Sequence, residues 1–216
     1  QMIDFELSLF LKCCLKIKIV KVYMSIYLIR HAQSLGNVNG KTESHASIPL
    51  TEFGHEQAQK LVDVLPPAKQ IFISPFLRTR LTAEPILLRD QITPQVLDIQ
   101  EFSYLSDTRC KNTTLEERKP WVDDYWNQAD VNLVTSEGAE SFANFYQRVT
   151  DFISHLDSLK AHYQHDHLLV FSHGQFLQLL KMLVEQKREL SSQLMRDFRY
   201  ALLNHQLDNT EFFIFK

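Results

Sequence analysis

Four short, uninterrupted apolar runs constrain this chain more than any other feature: Ile26-Tyr27-Leu28-Ile29, Ile71-Phe72-Ile73, Leu168-Leu169-Val170-Phe171 and Phe212-Phe213-Ile214-Phe215. Each is rich in β-branched, aromatic or leucine residues and reads as a strand. Helical patterns fill the intervals. Thr51 is placed to cap a helix that runs to about Leu65 and is ended by Pro66-Pro67. Ser74-Pro75 reads as a cap followed by proline at the first helical position, opening a helix to about Leu88. Pro85 lies inside that segment and is expected to kink or break it, since it removes the bond to the carbonyl of Leu81. From about Ala139 to His162, Phe142, Phe145, Val149, Phe152, Leu156 and Leu159 recur at spacings of three and four, the mark of one buried stripe. Two further helices are expected near 175–185 and 191–202. Strands alternating with helices predict an α/β fold, a three-layer α/β/α arrangement with a mostly parallel central sheet.

A chain of 216 residues suits one compact domain. Residues 1–23 read as an N-terminal extension, and residues 24–216 as the domain proper, with 102–137 as a possible lid insertion. Lys12, Lys16, Lys18 and Lys21 interrupt every apolar stretch of the extension, which fits neither a membrane span nor a secretory signal. Its second half is either irregular or an alternating edge strand over 16–23. A net charge of -3 argues against a protein held to nucleic acid by bulk positive field. Three cysteines, two of them adjacent (Cys13, Cys14) and one distant (Cys110), make a poor disulfide framework, so the expectation is a cytoplasmic chain with no membrane or nucleic-acid partner.

In open parallel sheets, ligands bind at the carboxyl ends of the strands. Two of the expected strands end in histidine: Leu28-Ile29 runs into Arg30-His31, and Val170-Phe171 into Ser172-His173-Gly174. Gly174 is expected to let the backbone turn tightly into the next helix. A third strand ends at Ser74-Pro75 and leads to Arg78 one turn later. A lone strand-end histidine is ordinary; two histidines, two arginines and Asn37 converging on one edge describe a phosphate pocket.

Arg30-His31-Ala32-Gln33-Ser34 with Asn37 resembles the signature of the histidine phosphatase (phosphoglycerate mutase-like) superfamily. The resemblance continues in order through Pro49-Leu50-Thr51-Glu52-Phe53-Gly54, Ser74-Pro75-Phe76-Leu77-Arg78-Thr79, Glu101, Gly138-Ala139-Glu140-Ser141 and Ser172-His173-Gly174. Ala32 stands where the signature has glycine, and Ala139 where a second glycine is usual. The resemblance implies a phosphoglycerate mutase-like fold and a metal-independent phosphatase, without cofactor, acting on a small phosphomonoester. It also implies that His31 is the nucleophile and forms a phosphohistidine. For this His31 must be neutral, with its other ring nitrogen held as a donor. Arg30, Asn37, Arg78 and His173, the last in its charged form, would bind the phosphoryl oxygens. Glu101 resembles the proton donor of the mutase-like branch, since Gly174 occupies the place where the acid phosphatase branch carries an aspartate. Glu116 and Glu117 read instead as the exposed start of a helix.

Between Glu101 and Gly138, Arg109, Lys111, Arg118, Lys119, Trp121 and Trp126 fit either a lid that grips the substrate or a solvated excursion with packing tryptophans. His162, His165, Asp166 and His167 invite a metal reading, but they fall between a helix end and a strand start, opposite the catalytic edge. The resemblance leaves two alternatives to a phosphatase, a phosphoglycerate mutase-type phosphotransferase and a non-catalytic module for a phosphorylated ligand. The glycolytic mutases carry a longer insertion after the acid, and no reacting group is lost here, so phosphatase is the expectation.

Overall fold

The computed structural model describes residues 24–215. Residues 1–23, with the two readings of the extension, lie outside the described residues. Five strands form one sheet: β1 (Ser25–Arg30), β2 (Gln70–Ile73), β3 (Gln95–Val96), β4 (His167–Ser172) and β5 (Phe212–Phe215). Their order is β3-β2-β4-β1-β5, parallel throughout except for β5, which runs antiparallel to β1. Among the described residues, seven α-helices accompany them: α1 (Glu52–Val64), α2 (Leu77–Asp90), α3 (Asp107–Cys110), α4 (Leu115–Gln128), α5 (Phe142–His162), α6 (Gly174–Gln186) and α7 (Ser192–Asn204).

The central runs of β1, β2 and β4 are apolar at successive positions because both of their faces are covered. Successive side chains point to opposite faces. Ile26, Leu28, Leu168, Val170 and Phe72 pack on one face with α5, α6 and α7. Ile29, Leu169, Phe171, Ile71 and Ile73 pack on the other with Leu61, Ala83 and Ile86 of α1 and α2. The expected stripe of α5 is the centre of the larger cluster, with Phe142, Phe145 and Val149 fully buried. Truncating such a phenylalanine to alanine costs about 3–5 kcal/mol.

Two local expectations are corrected. Helix α2 begins at Leu77, and Phe76, with extended backbone, is the residue that precedes it. The Ser74 hydroxyl bonds Thr79 and His173 as well as accepting from the Phe76 N–H. Nor does Pro85 break α2, which continues to Asp90. Thr82, Ala83 and Ile86 are fully buried on either side of it, and that packing outweighs a proline penalty of roughly 3 kcal/mol.

Parallel pairing fixes where the strand ends meet. Arg30 of β1 stands in register with Ser172 of β4, and Phe171 with Ile73 of β2. His31, His173 and Ser74 therefore leave three adjacent strands at the same edge. The His162–His167 stretch lies at the amino end of β4, the other end of the strand from His173.

Candidate active site

A cavity of about 220 Å³ opens at this edge, and His31, Asn37, Arg78 and Glu101 line it. His31 is 2% exposed. Its Nδ1 lies 2.7 Å from the carbonyl oxygen of Ala32, and its Nε2 lies 3.1 Å from Arg78 Nε. A carbonyl only accepts and a guanidinium only donates. Both contacts thus select one tautomer, Nδ1–H with the lone pair on Nε2. Burial, then the Arg78 charge, holds the imidazole well below the usual histidine range, so the lone pair is available at neutral pH.

Arg78 is itself buried, and desolvation lowers it to about 10, which leaves it charged near neutrality. Its Nη1 donates to the carbonyl of His45 at 2.8 Å. Asn37 accepts from Ser34 N and Ser34 Oγ through Oδ1, both at 2.9 Å, so its Nδ2 is the donor end left over. The loop methyl of Ala32 is absorbed in a small cluster with Leu50 and Ala58, while Ala32 N donates to Thr82 Oγ1 at 3.0 Å.

Arg30 and His173 stand behind this first row rather than in the cavity wall. The His173 ring lies 5.1 Å from that of His31, centroid to centroid. Burial, then Arg78, pushes His173 well below the usual range. The charges of Arg78, Arg148 and Arg30 and the His31 ring thus favour the neutral form of the ring in the ligand-free site, whereas the sequence expectation of a charged ring concerns the phosphoryl-bound one. Gly174 also has a different role from the expected tight turn. A Cβ there would come within 3.2 Å of Arg30 Nε and 2.9 Å of Gln206 Nε2, so glycine makes room for the guanidinium. Arg30 donates from Nη1 to the Leu207 carbonyl, Thr210 N donates to Arg30 O, and Asn209 Nδ2 donates to the His31 carbonyl at 2.8 Å. Sequence reading missed this loop, residues 206–210, which lies far from every recognisable motif.

Glu101 is half-buried and accepts from the N–H groups of Gln175, in the first turn of α6, and Phe102 at 3.0 and 3.3 Å. Burial raises its carboxyl above the usual value although Arg78, Arg30 and both N–H groups oppose the shift. The loop before it is pinned twice. Ser172 Oγ donates to Ile99 O at 2.6 Å, and Arg148 Nη1 donates to Gln100 O at 2.9 Å. Arg148 is held by a bidentate pair with Glu140 at 2.9 and 3.0 Å, which gives the Gly138–Ser141 motif a physical purpose. Glu116 and Glu117 sit exposed at the start of α4, where Glu117 closes a capping box with Thr114.

The cations and tryptophans of the segment 102–137 divide between the cavity, the surface and the core. Leu115, Arg118 and Val122 of α4 face the cavity, and Tyr125 and Trp126 are buried in the main core. Of the four cations only Arg118 lines the cavity; Arg109 covers the Trp121 ring, Lys111 pairs with Glu43 and Lys119 with Asp123. Apolar walls come from Ile48, Phe76, Phe102, Leu105 and Val122.

Residues 26–208 match the family described as histidine phosphatase superfamily (branch 1). The adenosylcobalamin/alpha-ribazole phosphatase of Escherichia coli is 30% identical over 165 residues, 73% of this chain and 77% of that protein. The alpha-ribazole phosphatase structure from Shigella flexneri superposes with a TM-score of 0.68 at 25% identity, covering 89% of this chain and 90% of the other. A phosphoserine phosphatase from Entamoeba histolytica shares the fold, with a TM-score of 0.65 at 20% identity over 89% and 90%. With the signature residues gathered at one sheet edge and a match spanning most of the described residues, this chain belongs to branch 1 of the histidine phosphatase superfamily.

Proposed function

We propose that the chain hydrolyses a small phosphomonoester through a phosphohistidine on His31, with no metal in the reaction. The observation that carries this reading is the tautomer of His31: Nδ1 is committed to the Ala32 carbonyl and the Nε2 lone pair faces the cavity beside Arg78. Nε2 attacks phosphorus, the ester P–O bond breaks, and Glu101 gives its proton to the leaving alkoxide. Water then attacks the phosphohistidine while the Glu101 carboxylate takes a proton back, and phosphate leaves. Arg78 exchanges its bond to Nε2 for phosphoryl oxygens, and Arg30, Asn37 and His173 supply further donors around them. The raised Glu101 carboxyl suits a group that must be an acid in one step and a base in the next, and an incoming dianion raises it further.

The buried nucleophile and the apolar walls support a small substrate with a largely uncharged, flat leaving alcohol rather than a phosphoprotein. A ribazole phosphate, the substrate in the names of the 30% identical relatives, has that character. The test is hydrolysis of p-nitrophenyl phosphate and of alpha-ribazole phosphate in EDTA. Turnover is expected with both, with vanadate inhibiting as a mimic of five-coordinate phosphorus. Loss of turnover in EDTA with recovery on adding a divalent ion would overturn the mechanism.

A further inference from the structure

Behind the nucleophile, a chain of hydrogens runs in one direction. Ser74, at the end of β2, is 1% exposed. Its Oγ lies 3.1 Å from the Phe76 N–H, 2.9 Å from Thr79 Oγ1 and 2.7 Å from His173 Nε2. The amide can only donate, so it takes one lone pair of Oγ. Thr79 Oγ1 lies 2.8 Å from the carbonyl oxygen of Phe76 and 3.2 Å from that of Ser74, and both can only accept. The Thr79 proton therefore goes to a carbonyl and the Ser74 proton to Thr79. One Ser74 lone pair remains, and it faces His173. The reverse order would turn the Thr79 proton away from both carbonyls.

We infer that Ser74 is a positioning residue that holds the proton of His173 on Nε2, so that Nδ1 becomes a donor only when a phosphoryl group arrives. The inference rests on the phosphatase reading of the site. Nδ1 of His173 is buried with no hydrogen-bond partner among the described residues. Phosphoryl oxygens accept, so a dianion meeting Nδ1 must bring or gather one proton from solvent. The resulting imidazolium donates from Nε2 to Ser74 and from Nδ1 to the phosphoryl group. The charged and titratable groups facing His173 are Arg78 from α2, Arg30 and His31 from the end of β1, and Arg148 from α5. All four oppose a second proton. The substrate's own charge and a neutral hydroxyl acceptor are what retain it. His173 thus stays uncharged beside three arginines until the anion is present, which spares the resting site a further positive charge.

Nitrogen-15 histidine NMR on the full chain tests this without turnover, with His173 assigned by its loss in His173→Asn. Near pH 7 the free protein is expected to show His173 protonated on Nε2 alone, and inorganic phosphate is expected to protonate Nδ1 as well. A free state with the proton on Nδ1, or a phosphate complex in which His173 stays neutral, overturns the inference. If phosphate moves no active-site histidine at all, the phosphatase reading fails instead. Kinetics supply the second arm. Ser74→Ala removes the acceptor, so kcat is expected to fall about 10–100-fold. The alkaline limb of its pH profile should move to lower pH, because the bound imidazolium loses a partner that favours it. Ser74→Thr should return the limb toward its original position. A Ser74→Ala protein with lowered melting temperature and an unmoved limb would make Ser74 structural only, against the inference.

Discussion

The floor and the roof of the cavity are built by different means. The floor and the layer behind it hang from three adjacent strand ends, and their groups are buried: His31 and Arg78 in the wall, and Ser74 and His173 behind it, are each at most 5% exposed. The roof is made of the chain around 39–48 and of α3 and α4, and side-chain bonds stitch it together. Arg118 donates to Thr42 Oγ1, Thr113 Oγ1 and the Cys110 and Thr113 carbonyls at 2.7–2.9 Å. Asp107 accepts from His45 N, and Asn39 Oδ1 accepts from Leu115 N. Apart from the buried Thr42 and Cys110, these stitches join exposed or half-buried residues, and one such hydrogen bond contributes roughly 0.5–1.5 kcal/mol. The comparison teaches a division of labour: the sheet fixes the chemistry, and the stitched roof fixes what the chemistry is offered. Floor and roof are joined where Arg78 Nη1 donates to the carbonyl of His45.

The sharpest break lies on the floor. His31→Ala is expected to abolish both turnover and acid-labile, alkali-stable labelling by radioactive substrate phosphate. Glu101→Gln keeps the nucleophile and removes the proton donor, a loss of about 10²–10⁴-fold. That loss is expected in full for an alkyl phosphate and only in part for p-nitrophenyl phosphate in single-turnover phosphorylation, since phenolate leaves unaided. An unchanged ratio between the two esters would move the proton donor to another residue. On the roof, Arg118→Ala should raise KM for alpha-ribazole phosphate about tenfold with little change in kcat. An equal fall of kcat for p-nitrophenyl phosphate would show that floor and roof are not separable.

The smallest effect is on stability and again singles out the floor. Folding holds His31 and His173 below the ordinary histidine value. The unfolded chain therefore binds protons that the folded one refuses as pH falls through about 6.5. Stability is expected to be undiminished by these two groups above that pH and to decline below it. His31→Asn should flatten the decline between pH 7 and 5, measured by denaturant unfolding; an unaltered slope would remove His31 from the account. Glu101 acts in the opposite sense. Its carboxyl is raised, so its ionisation weakens the fold at neutral pH, and Glu101→Gln should raise the melting temperature at pH 7 with the gain vanishing below about pH 4.

Much of the floor was legible in the sequence, because apolar runs that end in Arg-His and Ser-His-Gly leave few places for those histidines in a parallel sheet. Helix α5 was legible for a similar reason, its stripe being uninterrupted over six positions. Pro85 was not, because local propensity gave way to burial of Thr82, Ala83 and Ile86 around it. The ligand-free state of His173 was not legible either, because it depends on the charges around the ring, and one of them, Arg148, comes from α5, distant in sequence. Residues 206–210 carry no motif at all. Their backbone carbonyl and amide groups and the single Asn209 side chain do the holding, and any residue has a backbone.

That last loop has a consequence for synthesis. The Asn209 amide supports the carbonyl of His31 across 178 residues of chain, and Arg30 donates to the carbonyl of Leu207. Ribosomes make the nucleophile early and its brace late. While residues 206–215 are still inside the exit tunnel, β1 lacks its antiparallel neighbour and Arg30 lacks its acceptor. A nascent chain that already displays His31, Arg78 and His173 therefore lacks this brace until residues 206–215 have left the tunnel.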